Sequence, residues 1–246
     1  MLTVPYRFRG PSYSANGGYM CGRVAGYVDG PATVTLHRPP PLDTPMTVDP
    51  DGGGGSVRVW HDGVLVADAT PGGDGAALQL PGTVSIGEAR MAQGRSGYFV
   101  DPVFPGCFGC GVSRQPGDGL RIFPGPVPGR PVWAAPWTPD DSLADGGSRV
   151  HPEIVWAALD CPSGIAAGEA VDLGQETALV LGRMTARLGK PPAVGDECRV
   201  IAWPIGRDGR KLTAGSVLLG PDDEVLAEAR AVWLTVPKAT AEKVAS

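Results

Sequence analysis

The sequence predicts an α+β fold of two tandem units, each a curved antiparallel sheet wrapped around one long helix. Three observations predict it. Short β-branched segments bounded by Gly or Pro recur along the chain. Only two segments carry convincing helix signals, and each stands near the start of a set of strands. The two helix starts lie about 135 residues apart, so the order strand, helix, strands is made twice with a linker between. The expected division is a first unit over 1–82, a linker over 83–106, a second unit over 107–237 and a tail over 238–246.

In the first set, SANGGYMCGRVAGYVDG (Ser14–Gly30) spaces Tyr19, Met20, Arg23, Val24 and Tyr27 for one face, which predicts a helix at about Gly17–Val28. Strands follow at ATVTLHR (Ala32–Arg38) and in SVRVWHDGVLVADAT (Ser56–Thr70). His61-Asp62-Gly63 carries the Asp-Gly signal of a hairpin between Val57–Trp60 and Val64–Ala67. The four glycines of TPMTVDPDGGGGS lack the Lys-Ser/Thr and helix of a phosphate cradle, so they read as a strand connection. SIGEARMAQG (Ser85–Gly94) is a weaker helix joining the two sets.

The second set opens with the strand GRPVWAAPW (Gly129–Trp137). Its helix starts at His151-Pro152-Glu153, with Pro at the first helical position and an acid in the first turn, and is expected over about Pro152–Cys161. ECRVIAWPIG (Glu197–Gly206) is a further strand. RKLTAGSVLLGPDDEVLAEARAVWLTV (Arg210–Val236) reads as two long strands around a Gly-Pro-Asp-Asp turn.

Composition narrows the function classes. Apolar residues make up 42%, enough for a real core, and the net charge of −5 supplies no basic field for nucleic acid or an anionic membrane surface. The apolar runs fall far short of the roughly 20 residues a membrane span needs. MLTVPYRFRG has no apolar stretch long enough for a secretory signal. The five scattered cysteines suit a reducing compartment, so a cytoplasmic location is expected. Gly (37) and Pro (26) exceed a quarter of the chain, but they punctuate apolar runs and therefore read as many short loops.

The residue that raises a chemical question is Asp160, the one charged side chain between Ile154 and Gly168 in VHPEIVWAALDCPSGIAAG. A buried carboxylate without a partner is expensive, and the usual relief is a shifted pKa or a dedicated donor. Either Asp160 serves a site, or LDCPSG ends one helix and Asp160 caps a short second one before Pro162. Trp156, one turn earlier, would wall such a site and raise the carboxyl's pKa by desolvation. Cys107-Phe-Gly-Cys110 invites a zinc or redox reading. No second CxxC or CxxH exists, so the ligand count stops at two, and the sequence predicts no metal and a turn packing buried thiols.

Three stretches carry a resemblance. NGGY (Asn16–Tyr19), CFGCGVSRQPGDGLRI (Cys107–Ile122) and HPEIVWAALDCPSGIA (His151–Ala166) resemble, in this order, the corresponding pieces of double-hotdog chains of the acyl-CoA thioesterase type. The last is similar to the His-Gly-Gly…Asp helix of the phenylacetyl-CoA type, with the same His-to-Asp spacing of nine. The resemblance implies thioester hydrolysis. That chemistry needs a carboxylate to attack or to activate water, and a donor for the developing oxyanion, which free N–H groups at a helix N-terminus supply. Nine residues along one helix span roughly 14 Å, so donor and carboxylate must come from different helices.

Each half retains what the other lacks. The first helix keeps Gly17 and Gly18 but has Ala25 at the acid's position. The second keeps Asp160 but has Pro152 and Glu153 where the glycines would be, and Pro offers no N–H. One composite site per chain is therefore expected, with Gly17 and Gly18 as oxyanion donors and Asp160 as base or nucleophile. Asn16, Tyr19, His151, Trp156 and Ser163 are the expected substrate-binding residues. Asn16 also suits an ordinary helix cap, and His151 an ordinary helix start.

In type II double-hotdog thioesterases the Asp works with a Thr and a Gln. Here the Gln position falls near Ala231 and Thr177 is close to the Thr position, leaving Ser163, Glu169 and Gln175 as candidate polar partners. Arg207, Arg210 and Lys211 either meet coenzyme A phosphates or form a solvated turn. The resemblance implies a small-molecule acyl thioester as substrate, carried by coenzyme A or by acyl carrier protein, and no cofactor, while the ligand count, charge and apolar runs predict no metal, nucleic acid or membrane partner. It also implies double-hotdog units able to associate as a homo-oligomer. Two alternatives stay open: a silent hotdog that binds acyl-CoA without turnover, and a hydratase-type lyase using a His. For the lyase, His37 and His61 sit in strand signals and His151 lacks the usual acid spacing.

Overall fold

A computed structural model describes residues 1–246 apart from 51–54, 73–77, 145, 172, 175 and 243–246. Gln175 and most of the four-glycine loop therefore lie outside the described residues. The elements run α1 (Gly17–Ala25), β1 (Ala32–Leu36), β2 (Thr47–Pro50), β3 (Val57–His61), β4 (Val64–Pro71) and α2 (Ile86–Gln93). They continue with β5 (Gly125–Pro126), β6 (Trp133–Trp137), α3 (Pro152–Glu169), β7 (Thr177–Leu188), β8 (Cys198–Asp208), β9 (Lys211–Leu219), β10 (Val225–Pro237) and α4 (Lys238–Glu242).

The strands form one ten-stranded antiparallel sheet in the order β2-β3-β4-β1-β7-β10-β9-β8-β6-β5. The expected join between two sheets is the β1–β7 pairing, with Ala32 opposite Ala186 and Thr35 opposite Arg183. Side chains reinforce this seam: the hydroxyls of Thr33 and Thr185 lie 2.9 Å apart, and Arg183 Nε donates to Thr35 Oγ1 at 3.0 Å. Asp62 (φ 49°) and Gly63 (φ 75°) turn the β3–β4 hairpin as Asp-Gly predicts, since both central residues of that turn need positive φ. The first unit lacks a strand before its helix among the described residues; an isolated bridge, Leu2 to Met46, stands there. Pro5 and Pro11 have no N–H to extend the ladder.

Two helices differ from expectation in length. α1 ends at Ala25, about a turn early, and leaves Tyr27 47% exposed. α3 runs to Glu169, well past Cys161 and through Pro162. Pro162 cannot supply an N–H to the Ala158 carbonyl, and hydroxyl donors stand on the next two carbonyls. Ser216 Oγ on β9 donates to Leu159 O at 2.9 Å, and Ser163 Oγ donates to Asp160 O at 2.7 Å. The helix is buried almost all round, from Ile154 to Ala167, so the surrounding strands hold it where proline would otherwise break it. Asp160 is thus in mid-helix and caps nothing.

α1 and α3 pack antiparallel at close range because α1 presents glycine to its neighbour. A Cβ on Gly18 would lie 2.4 Å from Asp160 Cβ, and one on Gly22 would lie 2.5 Å from Glu153 Cα. This contact brings the N-terminus of α1 to the middle of α3. α2 begins with a capping box made by Ser85 and Glu88, and its Ala89 and Ala92 pack with Val132, Ala134, Ile201 and Trp203 on the sheet. Among the described residues, no helix is long and apolar enough to cross a membrane.

Candidate active site

Asn16 is the N-cap of α1. Its side-chain oxygen accepts from Tyr19 N–H at 2.8 Å, and this fixes the amide so that its NH2 points away from the helix. That NH2 donates to Asp160 Oδ2 at 3.0 Å, and Gly18 N–H donates to the same oxygen at 2.9 Å. Asp160 is only 2% exposed, and its other oxygen, Oδ1, has no hydrogen-bond partner among the described residues. Burial raises the Asp160 pKa to about 7; the Gly18 and Asn16 donors pull it down, and the neighbouring Cys107 pushes it up. A carboxyl so placed is divided between its acid and base forms near neutral pH, the condition suited to proton transfer.

A cavity of about 530 Å³ reaches this point, with Asn16, Gly17, Asp160 and Cys161 in its wall. Most of the remaining lining is apolar, including Leu36, Tyr98, Phe104, Ile165, Leu179, Leu181 and Trp233. Arg38 and His37, whose imidazole pairs with Asp68, also line the cavity. The Gly17 N–H meets no acceptor among the described residues, as the first N–H of a helix normally does not. Gly17 is tight against the wall: a Cβ there would lie 2.9 Å from Leu181 Cβ. The expected pair of free oxyanion donors is therefore reduced to one, because the Gly18 N–H is already engaged by Asp160.

Four of the expected substrate-binding residues fall elsewhere. Tyr19 is 3% exposed and stacked on Phe8 at 3.9 Å, with Phe108 edge-on, so it belongs to an aromatic core cluster. His151 caps the exposed start of α3, nine residues from Asp160, and does not line the cavity. Trp156 sits between the helices, its Cβ over Gly22, and walls the core instead of the cavity. Ser163 is fully buried: its hydroxyl donates to Asp160 O and accepts from Trp233 Nε1 at 2.9 Å. It orients Trp233, which does line the cavity. Ala231 is buried and offers no polar group, whereas Thr177 and Glu169 line the cavity. Glu169 accepts from Trp133 Nε1 at 2.6 Å, and burial raises its pKa. Arg207, Arg210 and Lys211 lie around the β8–β9 turn, away from the cavity lining.

Sequence spacing also missed a neighbour. Cys161, the residue after Asp160, joins Cys107 and Cys110, and the three sulfurs lie within 4.8 Å of one another. Cys107 Sγ and Cys161 Sγ are 3.6 Å apart. Hydrogen bonds from the Cys110 and Cys161 thiols, aided by the N–H groups of Cys110 and Gly109, hold the Cys107 pKa well below the usual thiol value against the effect of burial. The count of two ligands, on which the expectation of no metal rested, is a count of three in space. The signal was the pairing of CxxC with a cysteine beside the one buried acid.

No family model matches this sequence, and no curated protein matches it. Solved structures do. A protein of Thermobifida fusca described as a thioesterase II matches with a TM-score of 0.53 and 16% identity, over 90% of this chain and 88% of that one. The E. coli PaaI protein, from the phenylacetic acid degradation operon, matches with 0.38 and 14% identity over 43% of this chain and 72% of its own. A phenylacetic acid degradation-related protein of Ralstonia eutropha gives 0.37 and 16% over 42% and 75%. The full-length match, with the continuous sheet and paired helices, shows that this chain shares the hotdog fold of that protein. The chain is a tandem double hotdog.

Proposed function

We propose that this chain hydrolyses an acyl thioester of coenzyme A at one composite site, with Asp160 as the base that activates water. One observation carries the reading: Asp160, a buried carboxylate whose Oδ1 has no partner among the described residues, lines a largely apolar cavity beside a helix N-terminus. Oδ2 is held by Gly18 and Asn16, which leaves Oδ1 to take the proton of a water. The acyl group lies along the apolar wall. The thioester oxygen faces Gly17 N–H and the positive end of the α1 dipole, which favour the oxyanion as it forms. Attack of the water on the carbonyl carbon and collapse of the tetrahedral intermediate expel the thiolate, which takes the proton held by Asp160 and restores the carboxylate.

A second reading, acyl-CoA binding without turnover, is favoured by one specific feature: Ala231 stands where the resemblance places a glutamine. The two separate in one experiment. Free thiol release is followed with the full chain across acyl-CoAs of increasing length and aryl-CoAs, alongside equilibrium binding of the same compounds. Release on at least one substrate supports hydrolysis, and binding without release on any supports the silent protein.

A further inference from the structure

Cys107, Cys110 and Cys161 do not take part in the proposed hydrolysis, yet the local chain is shaped around them. Cys107 and Cys110 come from one tight turn, and Cys161 comes from α3. A Cβ on Gly109 would fall 2.8 Å from Cys161 Sγ, and one on Gly111 would fall 2.3 Å from Cys107 O. The first glycine lets the helix sulfur reach the turn, and the second lets the turn close. All three residues line the cavity, although they are only 2%, 3% and 8% exposed.

We propose that these three cysteines bind one thiophilic divalent cation of the zinc class, with its fourth coordination position facing the cavity. A tetrahedral site with metal–sulfur bonds of about 2.3 Å holds its sulfurs about 3.8 Å apart. Here Cys107 Sγ and Cys161 Sγ are 3.6 Å apart and all three sulfurs lie within 4.8 Å of one another, so binding needs movements of no more than about an ångström. Donors to the thiolates are in place. Asn16 Nδ2 is 3.6 Å from Cys107 Sγ and 3.7 Å from Cys161 Sγ, and its amide is pinned by Tyr19 N–H. The Tyr98 hydroxyl stands near the Cys110 thiol and is itself fixed by Phe104 N–H at 3.0 Å. Such outer donors orient the ligands and spread the charge of a thiolate site. Three thiolates and a dication leave one net negative charge, and the donor groups of Asn16 and Tyr98 face it. Binding breaks the remaining S–H bonds, forms three metal–sulfur bonds and releases the thiol protons to the buffer. Three protein ligands with an open fourth position is the arrangement of a zinc that meets a water or substrate, in contrast to a closed four-ligand structural site. The proposal stands independently of thioester hydrolysis.

The test is a titration of the full chain, reduced and stripped of metal, with Co²⁺ and then Zn²⁺. A thiolate-to-cobalt charge-transfer band should grow to about one cobalt per chain and be bleached by an equivalent of zinc. Mass spectrometry should find Cys107, Cys110 and Cys161 protected from alkylation by zinc. The band should be lost in Cys161→Ser and in Cys107→Ser, each checked for folding by circular dichroism, and kept in Cys198→Ser, whose thiol lies on β8. A wild-type protein that gives no band and whose cysteines alkylate equally with and without zinc overturns the proposal, leaving a packed thiol cluster. So does a band that survives in folded Cys161→Ser. The wild-type arm decides even where a variant does not fold.

Discussion

Replacing Asp160 by Asn should make the protein more stable as pH rises. The ordinary aspartate pKa is 3.8, and burial raises that of Asp160 to about 7. Below the unfolded value both states carry the proton, and the group imposes no penalty. Between the two values the unfolded chain ionises while the folded one must hold its proton, so stability falls as pH climbs. Above about 7 the folded chain carries the full penalty, a little over three pKa units, or about 4 kcal/mol. Asn has nearly the same shape, stays neutral, and can still accept from Gly18 N–H. The advantage of Asp160→Asn over wild type should therefore grow by about 3 kcal/mol between pH 4.5 and pH 8. Every other titrating group is shared and cancels. Urea denaturation of both proteins at the two pH values, with reductant and a chelator to keep them metal-free, measures it. An advantage that is the same at both pH values would refute the reasoning, because the carboxyl would then not be dry.

Other consequences follow from the same geometry. In the metal-free protein kcat/KM should rise with pH to half its maximum near 7, since the proposed base is the ionised carboxylate; a flat profile from pH 5.5 to 8.5 would exclude that role. Gly18→Ala should cost about 1–3 kcal/mol in denaturant stability, because its Cβ would fall 2.4 Å from Asp160 Cβ; wild-type stability would contradict the close packing of α1 on α3. Asn16→Ala should lose about 1 kcal/mol for the cap and also move the pH midpoint upward, whereas a purely structural role for Asn16 would leave the midpoint in place. Ser163→Ala should destabilise by about 1–3 kcal/mol by leaving the buried Trp233 indole N–H without its acceptor, with a smaller effect on turnover than on stability.

Local chemistry was the legible part of the fold. Asp62-Gly63 specified its hairpin, Ser85–Gly94 its helix, and Pro152 the start of α3, because each acts within a few residues. The extension of α3 past Pro162 was not legible, since the hydroxyl of Ser216 that helps sustain it comes from β9. β7, the strand that joins the two halves, went unmarked. Gly182 interrupts it at a bulge, where the register slips between Val232 and Trp233, and its arginines dilute the apolar run. Asp160 could be singled out because a lone charge in an apolar helix is visible in one dimension. Which way Tyr19, Trp156 and Ser163 face could not be, because residues adjacent on a helix point about a third of a turn apart and the packing partner decides which one meets the cavity. Cys161 joined its two partners only in space.

Asp160 is the proposed base in thioester hydrolysis. The most direct measurement is steady-state hydrolysis of the best acyl-CoA by wild type and by Asp160→Asn, with acyl-CoA affinity measured for both by calorimetry. A fall in kcat on the order of a hundredfold or more is expected, with affinity little changed. An Asp160→Asn protein that hydrolyses at the wild-type rate would contradict that role.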